Sequence, residues 1–599
     1  MLRGFRWQLL ALFLAIMLFG IALVTTSDDE PTEDAPTPAA TQPVVPPQNT
    51  VEGETPAPPI PTQAQPFDPT ADNIPTYREA LVGSVQRLNP LYADLNPADR
   101  DITSLIFEGL TRRNRYGEPE PALAREWVIS FDQLEYVITL RDDVLWQDGV
   151  PFTAADVMYT MSILSSPEFS GPTELGAFWR TVEVEQLGDH LVRFRLAQPL
   201  GSFLDALRIG ILPYHALQGA TAADLPNHLF NLSPIGTGPY QLEALRTSAS
   251  GRIEMVDLRV APVYRQRPEG QTGYAMERLR FHLYDSFEAV QAALQAGDID
   301  GYAGRSRAER DALLRLDDRF SNYTTVEPAV GFLIFNWQRD GLKEEFGSLR
   351  VRQALLTGLD RAPIIARNLA NTAILANSPI LPGSWAYQEV GGIAELPYPG
   401  ANVNLARTLI AQANIEAGDA EATEEAVPAA TQTPALFRFT ILVWDDPAIV
   451  NVAQEIATQW SQLGVAVTVQ SVDRATYRQR LESGDFDAAI AELSKNGSTD
   501  PDVYTFWHQG QYPDGQNYGG ADDRTISELL ELGRRDWNGI NRAPFYTNFQ
   551  REFIQRAIAI PLYYPLFTYV ASANVDGVQV GFIGSEADRF QSIQNWAFF

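Results

Sequence analysis

One stretch fixes the fold class ahead of any other. Phe437–Trp444 (Phe-Arg-Phe-Thr-Ile-Leu-Val-Trp) is rich in β-branched and aromatic residues, the composition of a strand. Asp446 and Pro447 then open a helix: a carboxylate can accept from its free amides, and proline's fixed φ suits the first turn. Ile449, Val452, Ala453, Ile456, Trp460 and Leu463 recur on one helical face. Gly464 stops that helix, and Val465, Val467 and Val469 alternate along a second strand. Strand, helix and strand in succession predict a right-handed crossover with parallel strands. The chain is therefore expected to hold an open α/β sheet. Ligands of such sheets gather at strand carboxyl ends, here beside Trp444-Asp445.

A second pattern predicts that there are two such halves. Ala293-Leu-Gln-Ala-Gly-Asp-Ile-Asp300 and Arg480-Leu-Glu-Ser-Gly-Asp-Phe-Asp487 share one plan: helix end, glycine stop, acidic turn, strand. The copies lie too far apart for a solenoid, and a chain of 599 residues needs more than one core. Around the first copy, Tyr77–Val82, Pro119–Trp127, Glu135–Leu140, Leu145–Gly149, Tyr240–Leu245, Arg252–Val260 and Leu279–Leu283 read as strands. Asp99–Leu110 carries a helical period, and Thr153 with Asp156 makes a capping box for a helix through Val157, Met161 and Leu164. Glu183–Ala197 reads as a hairpin around Gly188-Asp189. Asp285 and Glu288 are expected to cap a helix ending at Gly297. Trp146 and Tyr159 are assigned to the core.

The beginning of the chain reads as an address. Arg3 and Arg6 precede an unbroken apolar run, Leu9–Val24, and Asp28, Asp29 and Glu30 follow it, which places the bulk of the chain outside. Residues 1–27 are expected to be an uncleaved signal anchor, a hydrophobic helix in the membrane, with a signal peptide as the alternative. Residues 28–75 are rich in Pro, Thr, Ala, Gln and acids and are expected to be a disordered linker. As a flexible coil it spans about 40 Å. Ile415–Pro434 has the same composition and reads as a disordered surface insertion.

Catalytic chemistry is hard to find. The five histidines (His190, His215, His228, His282, His508) show no metal-binding spacing, and there are no cysteines. No nucleophile elbow or phosphate loop is present, and Pro239 denies Gly236-Thr237-Gly238-Pro239 a donor that a phosphate cradle needs. A net charge of −30 argues against nucleic acid as a partner. We therefore expect no catalytic residues, no metal and no cofactor.

Several separated motifs occur in a telling order. They are Leu140–Met161; Ser233–Tyr240 (Ser-Pro-Ile-Gly-Thr-Gly-Pro-Tyr); Val330–Trp337; Leu349–Arg361; Asp500-Pro501-Asp502 through Asn517-Tyr518-Gly519-Gly520; and Ile560–Tyr564. Together they resemble the extracellular solute-binding proteins of family 5, the dipeptide- and oligopeptide-binding receptors of ABC importers. The resemblance implies a two-lobed α/β fold like that of periplasmic binding proteins, type II, with an extra small subdomain. Lobe I is expected over 76–330, with the small subdomain at about 113–235. Lobe II is expected over 331–566, and 567–599 return to lobe I. Ser233–Tyr240, with two prolines and two glycines, is the crossover by which the chain leaves the small subdomain.

The same resemblance implies a monomer outside the cytoplasm, in the periplasm or on the outer face of the cytoplasmic membrane, where the N-terminal segment would tether it. It would hand a small solute to ABC permease subunits. Peptide, opine, oligosaccharide and metal chelate all remain open as the solute. Aromatic walls are expected from Trp385, Trp444, Trp507 and Tyr518, and polar contacts from Ser84, Lys495, Asn496, Asp500 and Asn517. Dipeptide-binding relatives place an acid for the ligand's ammonium near where Lys495 and Asn496 stand. A cation there favours an anionic or neutral partner. The alternatives are an extracellular sensor without transport, and a hydrolase using a carboxylate pair.

Overall fold

The computed structural model describes residues 74–267, 273–387, 401–416, 436–494, 498 and 500–599. The N-terminal apolar run, the linker up to residue 73 and the insertion beyond Glu416 lie outside the described residues. No helix among the described residues is long and apolar enough to cross a membrane.

The predicted crossover unit forms where the sequence places it. Phe437–Trp444 pairs parallel with Val465–Val472, and the helix Pro447–Ser461 joins them. Asp446 accepts from the Ala448 amide at 2.9 Å, and Gly464 turns with φ 81°. Ile449, Val452, Ala453, Ile456 and Trp460 are fully buried beneath that helix.

This unit is one end of a twelve-stranded mixed sheet. Its order runs Val465–Val472, Phe437–Trp444, Ala488–Ser494, Ala329–Phe335, Ile560–Ser572, Gly301–Gly304, Thr76–Val82, Arg278–Tyr284, Ile253–Val260, Tyr240–Thr247. The long strand Ile560–Ser572 is the suture. Its first half pairs with Ala329–Phe335 and Ala373–Leu375, and its second half with Gly301–Gly304 and Phe320–Val326. Three hydrophobic clusters meet along it. Ile560, Leu562, Tyr563 and Tyr564 belong to one, Phe567, Tyr569 and Ala571 to a second, and Val570 to a smaller third.

The second core also carries a four-stranded antiparallel sheet in the order Ala124–Ile129, Glu135–Leu140, Leu191–Leu196, Val182–Gly188. The helix Ala154–Ser165 packs beside it, started by the predicted Thr153/Asp156 capping box. Trp146 is fully buried, and Tyr159 lies half-buried against the same core. The Gly-Thr-Gly-Pro-Tyr stretch is held by Gln147, whose amide accepts from Gly236 N at 2.8 Å and donates to Tyr240 O at 2.8 Å. Gly236 has no alternative there, because a Cβ would lie 1.8 Å from the Ile106 carbonyl. The C-terminal 3₁₀ segment Glu586–Asn595 returns to this core through Arg589, which is fully buried. Its guanidinium donates to Glu79 at 2.9 Å and Asp101 at 2.8 Å.

Some local expectations need correction. Leu145–Gly149 is no strand; it is a turn closed by a single bridge from Leu145 to Pro151. The helix expected through Leu110 ends at Ile106, where Phe107 turns extended. Ser286, rather than Asp285, caps Phe287–Ala296, because its hydroxyl faces the Ala289 amide. Leu349–Arg361 breaks into Leu349–Thr357 and Arg361–Asn368 around Gly358, whose missing Cβ leaves room for Leu463.

Candidate functional site

The parallel strands Phe437–Trp444, Val465–Val472 and Ala488–Ser494 bring their carboxyl ends side by side. Trp444 closes the middle one, almost wholly buried. Tyr477 meets its ring edge-on at 5.4 Å, and the Arg474 guanidinium lies 5.4 Å from the ring centre. The Tyr477 hydroxyl donates to Ile490 O at 2.7 Å, tying the neighbouring helix to the sheet.

A cation from a helix beyond the long strand reaches this edge. Arg307 opens the helix Arg307–Leu313, directly after its cap Ser306. Its guanidinium donates to Glu492 at 3.0 Å, Asp446 at 3.3 Å and the Thr372 hydroxyl at 3.3 Å. The Tyr563 hydroxyl donates to the same Glu492 oxygen at 2.8 Å, with its ring 5.4 Å from the guanidinium carbon. Two carboxylates around one mostly buried guanidinium leave the spot one negative charge in excess. One turn on, Arg310 pairs with Glu327, which lies in the link between Phe320–Val326 and Ala329–Phe335. Burial pushes the Glu327 carboxyl up to about 7, with Arg310 pulling the other way.

A second seam lies beyond the first. Ser498 donates to Asp205 at 3.2 Å, Gly201 N to Arg534 O at 2.8 Å, and Trp537 N to the Gln133 side chain at 2.9 Å. Under it is an apolar recess of about 20 Å³ between Val330, Phe332, Leu381, Leu493, Asp500 and Phe506. That is room for about one water molecule.

The residues expected to bind ligand are distributed unevenly. Asp500 accepts two hydrogen bonds from Arg542, at 2.6 and 2.7 Å, with both side chains buried. Asn517 is buried and spends its amide on its own loop, at His508 O, Ala521 O and Ala521 N. Trp507 packs between Phe332 and Phe553 at 4.9 and 4.8 Å, inside the core. These three are consumed by the protein's own packing.

Trp385 is half-buried at the rim, with Arg542 5.2 Å from its ring and Tyr546 edge-on at 5.8 Å. Arg542 thus joins Trp385 to Asp500. Tyr518 is half-buried, and its phenol is raised by burial and by Glu482 and Glu174. Ser84 is exposed after the first strand and offers its carbonyl to Asn96 at 2.7 Å. No hydrogen bond, ion pair or ring contact among the described residues joins it to the others. Lys495 and Asn496 lie outside the described residues.

Sequence reasoning placed Asp446 only as a helix cap and passed over Arg307, Glu492 and Tyr563 as a group. Asp446 carried a usable signal, an acid just past a strand carboxyl end. Arg307 carried none, since its partners sit 139 and 185 residues away.

Comparison with known proteins agrees with this architecture. The family model for bacterial extracellular solute-binding proteins, family 5 (Middle), matches residues 118–515. The oligopeptide-binding protein AppA of Bacillus subtilis is 26% identical over 83% of this chain and 88% of its own. Among solved structures, HbpA2 from Haemophilus parasuis superposes with TM-score 0.72 at 20% identity, over 88% of this chain and all of the other. NikZ from Campylobacter jejuni in complex with Ni(L-His) gives TM-score 0.64 at 25% identity, over 87% of this chain and 99% of the other. On the extent of the family match, the chain belongs to the bacterial extracellular solute-binding proteins of family 5.

Proposed function

We propose that this chain captures a small solute between two lobes and delivers it to the membrane subunits of an ABC importer, without chemical turnover. In this reading lobe I comprises 76–330 and 567–599, with the small subdomain at about 113–235, and lobe II comprises 331–566. The observation that carries it is the set of hydrophobic cores sutured by one long strand, with Arg307 reaching from the helix Arg307–Leu313 to the strand ends beside Trp444. A solute that touches both lobes favours the closed arrangement by its differential affinity. A micromolar solute supplies about 8 kcal/mol for that purpose.

The Bacillus subtilis relative is named for oligopeptides and the Campylobacter jejuni structure holds a nickel chelate, so peptide-like solutes and metal chelates come first. Trp385, Trp444 and Tyr518 remain the proposed walls, with Ser84, Lys495 and Asn496 as polar contacts. Asp446 and Glu492 join them as anchors for a cationic group, with Arg307 as their internal counterion. An N-terminal membrane anchor and linker would keep the receptor beside its permease as a tethered monomer. Thermal-shift screening against di- to nonapeptides, Ni(L-His), opines and oligosaccharides tests this. One class should raise the melting temperature in a saturable way, and failure of all four classes would sink the reading.

A further inference from the structure

The larger of the two described cavities lies in neither seam. It is a groove of about 910 Å³ within the second core, between the turn Arg113–Tyr116, the Tyr264/Tyr274 pair and the C-terminal segment. That volume is the size of a site for a small organic molecule. Its charges stand out in a chain of net −30. Four arginines line it (Arg112, Arg113, Arg115, Arg208), against Glu108, Glu120 and Asp588.

Those three acids are already engaged. Glu108 takes both nitrogens of Arg267, at 3.2 and 3.1 Å, and Glu120 takes Arg112 at 2.7 Å. Asp588 accepts from Arg113 at 2.9 Å and from the amides of Gly584 and Ser585 at 2.6 and 3.0 Å. The arginines are not equally served. Arg113 is 7% exposed, and its Nε and Nη2 find no acceptor among the described residues. Buried donors of this kind call for a partner such as water or an ion. The C-terminal backbone leaves Arg113 no room to swing, since a Cβ on Gly584 would lie 1.7 Å from its Nη1. Arg115 lies 4.6 Å over the Tyr116 ring and donates to its hydroxyl, with no carboxylate partner among the described residues. Arg208 lines the same corner, pairs with Asp205 at 3.2 Å and is held down to about 10 by burial first and then by the Arg113 charge.

We propose that this groove is a second ligand site, separate from the solute cleft, for an organic acid. Its carboxylate or phosphate would lie against Arg113, Arg115 and Arg208, and its flat or apolar body along Tyr264 and Tyr274. Guanidinium forks match such oxyanions in charge and geometry, and the tyrosines supply aromatic wall. The site does not rest on the transport reading.

Calorimetric titration of the full chain at low salt, with inorganic phosphate, phenyl phosphate and benzoate, tests it. One saturable site is expected, with phenyl phosphate tighter than inorganic phosphate. Arg115 is exposed, so Arg115→Ser should fold normally and weaken phenyl phosphate about tenfold, a typical loss for one charged hydrogen bond. Arg115→Lys should recover part of that loss, and Arg113→Lys should weaken binding further. Arg307→Ala, in the cleft, should leave it unchanged. Absence of saturable binding by every probe would overturn the proposal. So would binding that ignores Arg113 and Arg115 but disappears in Arg307→Ala.

Discussion

The Asp500 carboxylate and the Arg542 guanidinium face each other through two hydrogen bonds, and Arg542 also donates to Gly533 O at 2.6 Å and to the Tyr546 hydroxyl at 3.2 Å. Removing one member strands the other charge away from water. Arg542→Met should therefore cost about 3–5 kcal/mol by urea denaturation, and the double variant with Asp500→Asn clearly less. A single variant no worse than the double would show the pair to be dispensable. Glu327 makes a separate pH prediction. Burial raises its folded-state carboxyl from 4.5 to about 7, so the native chain holds a proton that the unfolded chain has already released. Its contribution to stability is complete below pH 4.5 and falls as the pH rises through about 7. Glu327→Gln should flatten that part of the stability profile, and an unchanged slope would assign the slope to other groups. At this scale the sequence was legible for residue type and poor for partnership. Asp500 and Asn517 stand out as polar residues in a motif, but only the fold reveals that Arg542 and a loop backbone consume them.

The elements were far more readable. Phe437–Trp444 and the start and cap of the helix behind it appear as the pattern predicts, because each local preference there agrees with its neighbours, while the helix ends at Ser461, two residues short of Leu463. Asp446→Ala should cost about 1 kcal/mol through the lost cap. It should also remove one of the three hydrogen-bond partners of Arg307, so a solute-dependent loss beyond the cap's share would mark a second role. Misreadings fall where local propensity is overruled by packing. Leu349–Arg361, noticed only as a motif, divides into two helices at Gly358, where Leu463 claims the space a Cβ would need. Ser233–Tyr240 was legible as a break in regular structure, whereas its need for bare backbone against Ile106 was not. Gly236→Ala should destabilise by about 1–3 kcal/mol, as for an overpacked core position. A neutral result in thermal melts would mean that the Ile106 carbonyl can retreat.

For the whole molecule, the recurrence of one helix-glycine-strand phrase led to the expectation of two α/β halves and said nothing of how the strands join into one sheet. Register between distant strands leaves no trace in one sequence. The Ile560–Tyr564 motif is only the first part of a strand that continues to Ser572. Arg307 is one polar bridge between the helix Arg307–Leu313 and the strand ends at the proposed cleft. Arg307→Ala should enlarge the radius of gyration of the solute-free protein by small-angle scattering, and an unchanged radius would exclude it as a brace. The long strand has a consequence for how the protein fails. Its backbone hydrogen bonds serve strands along both of its ends, so the strands at one end cannot melt and leave the others with a complete edge. Heating should give one calorimetric peak whose measured enthalpy equals the van't Hoff value; two resolved peaks would show that the cores melt independently.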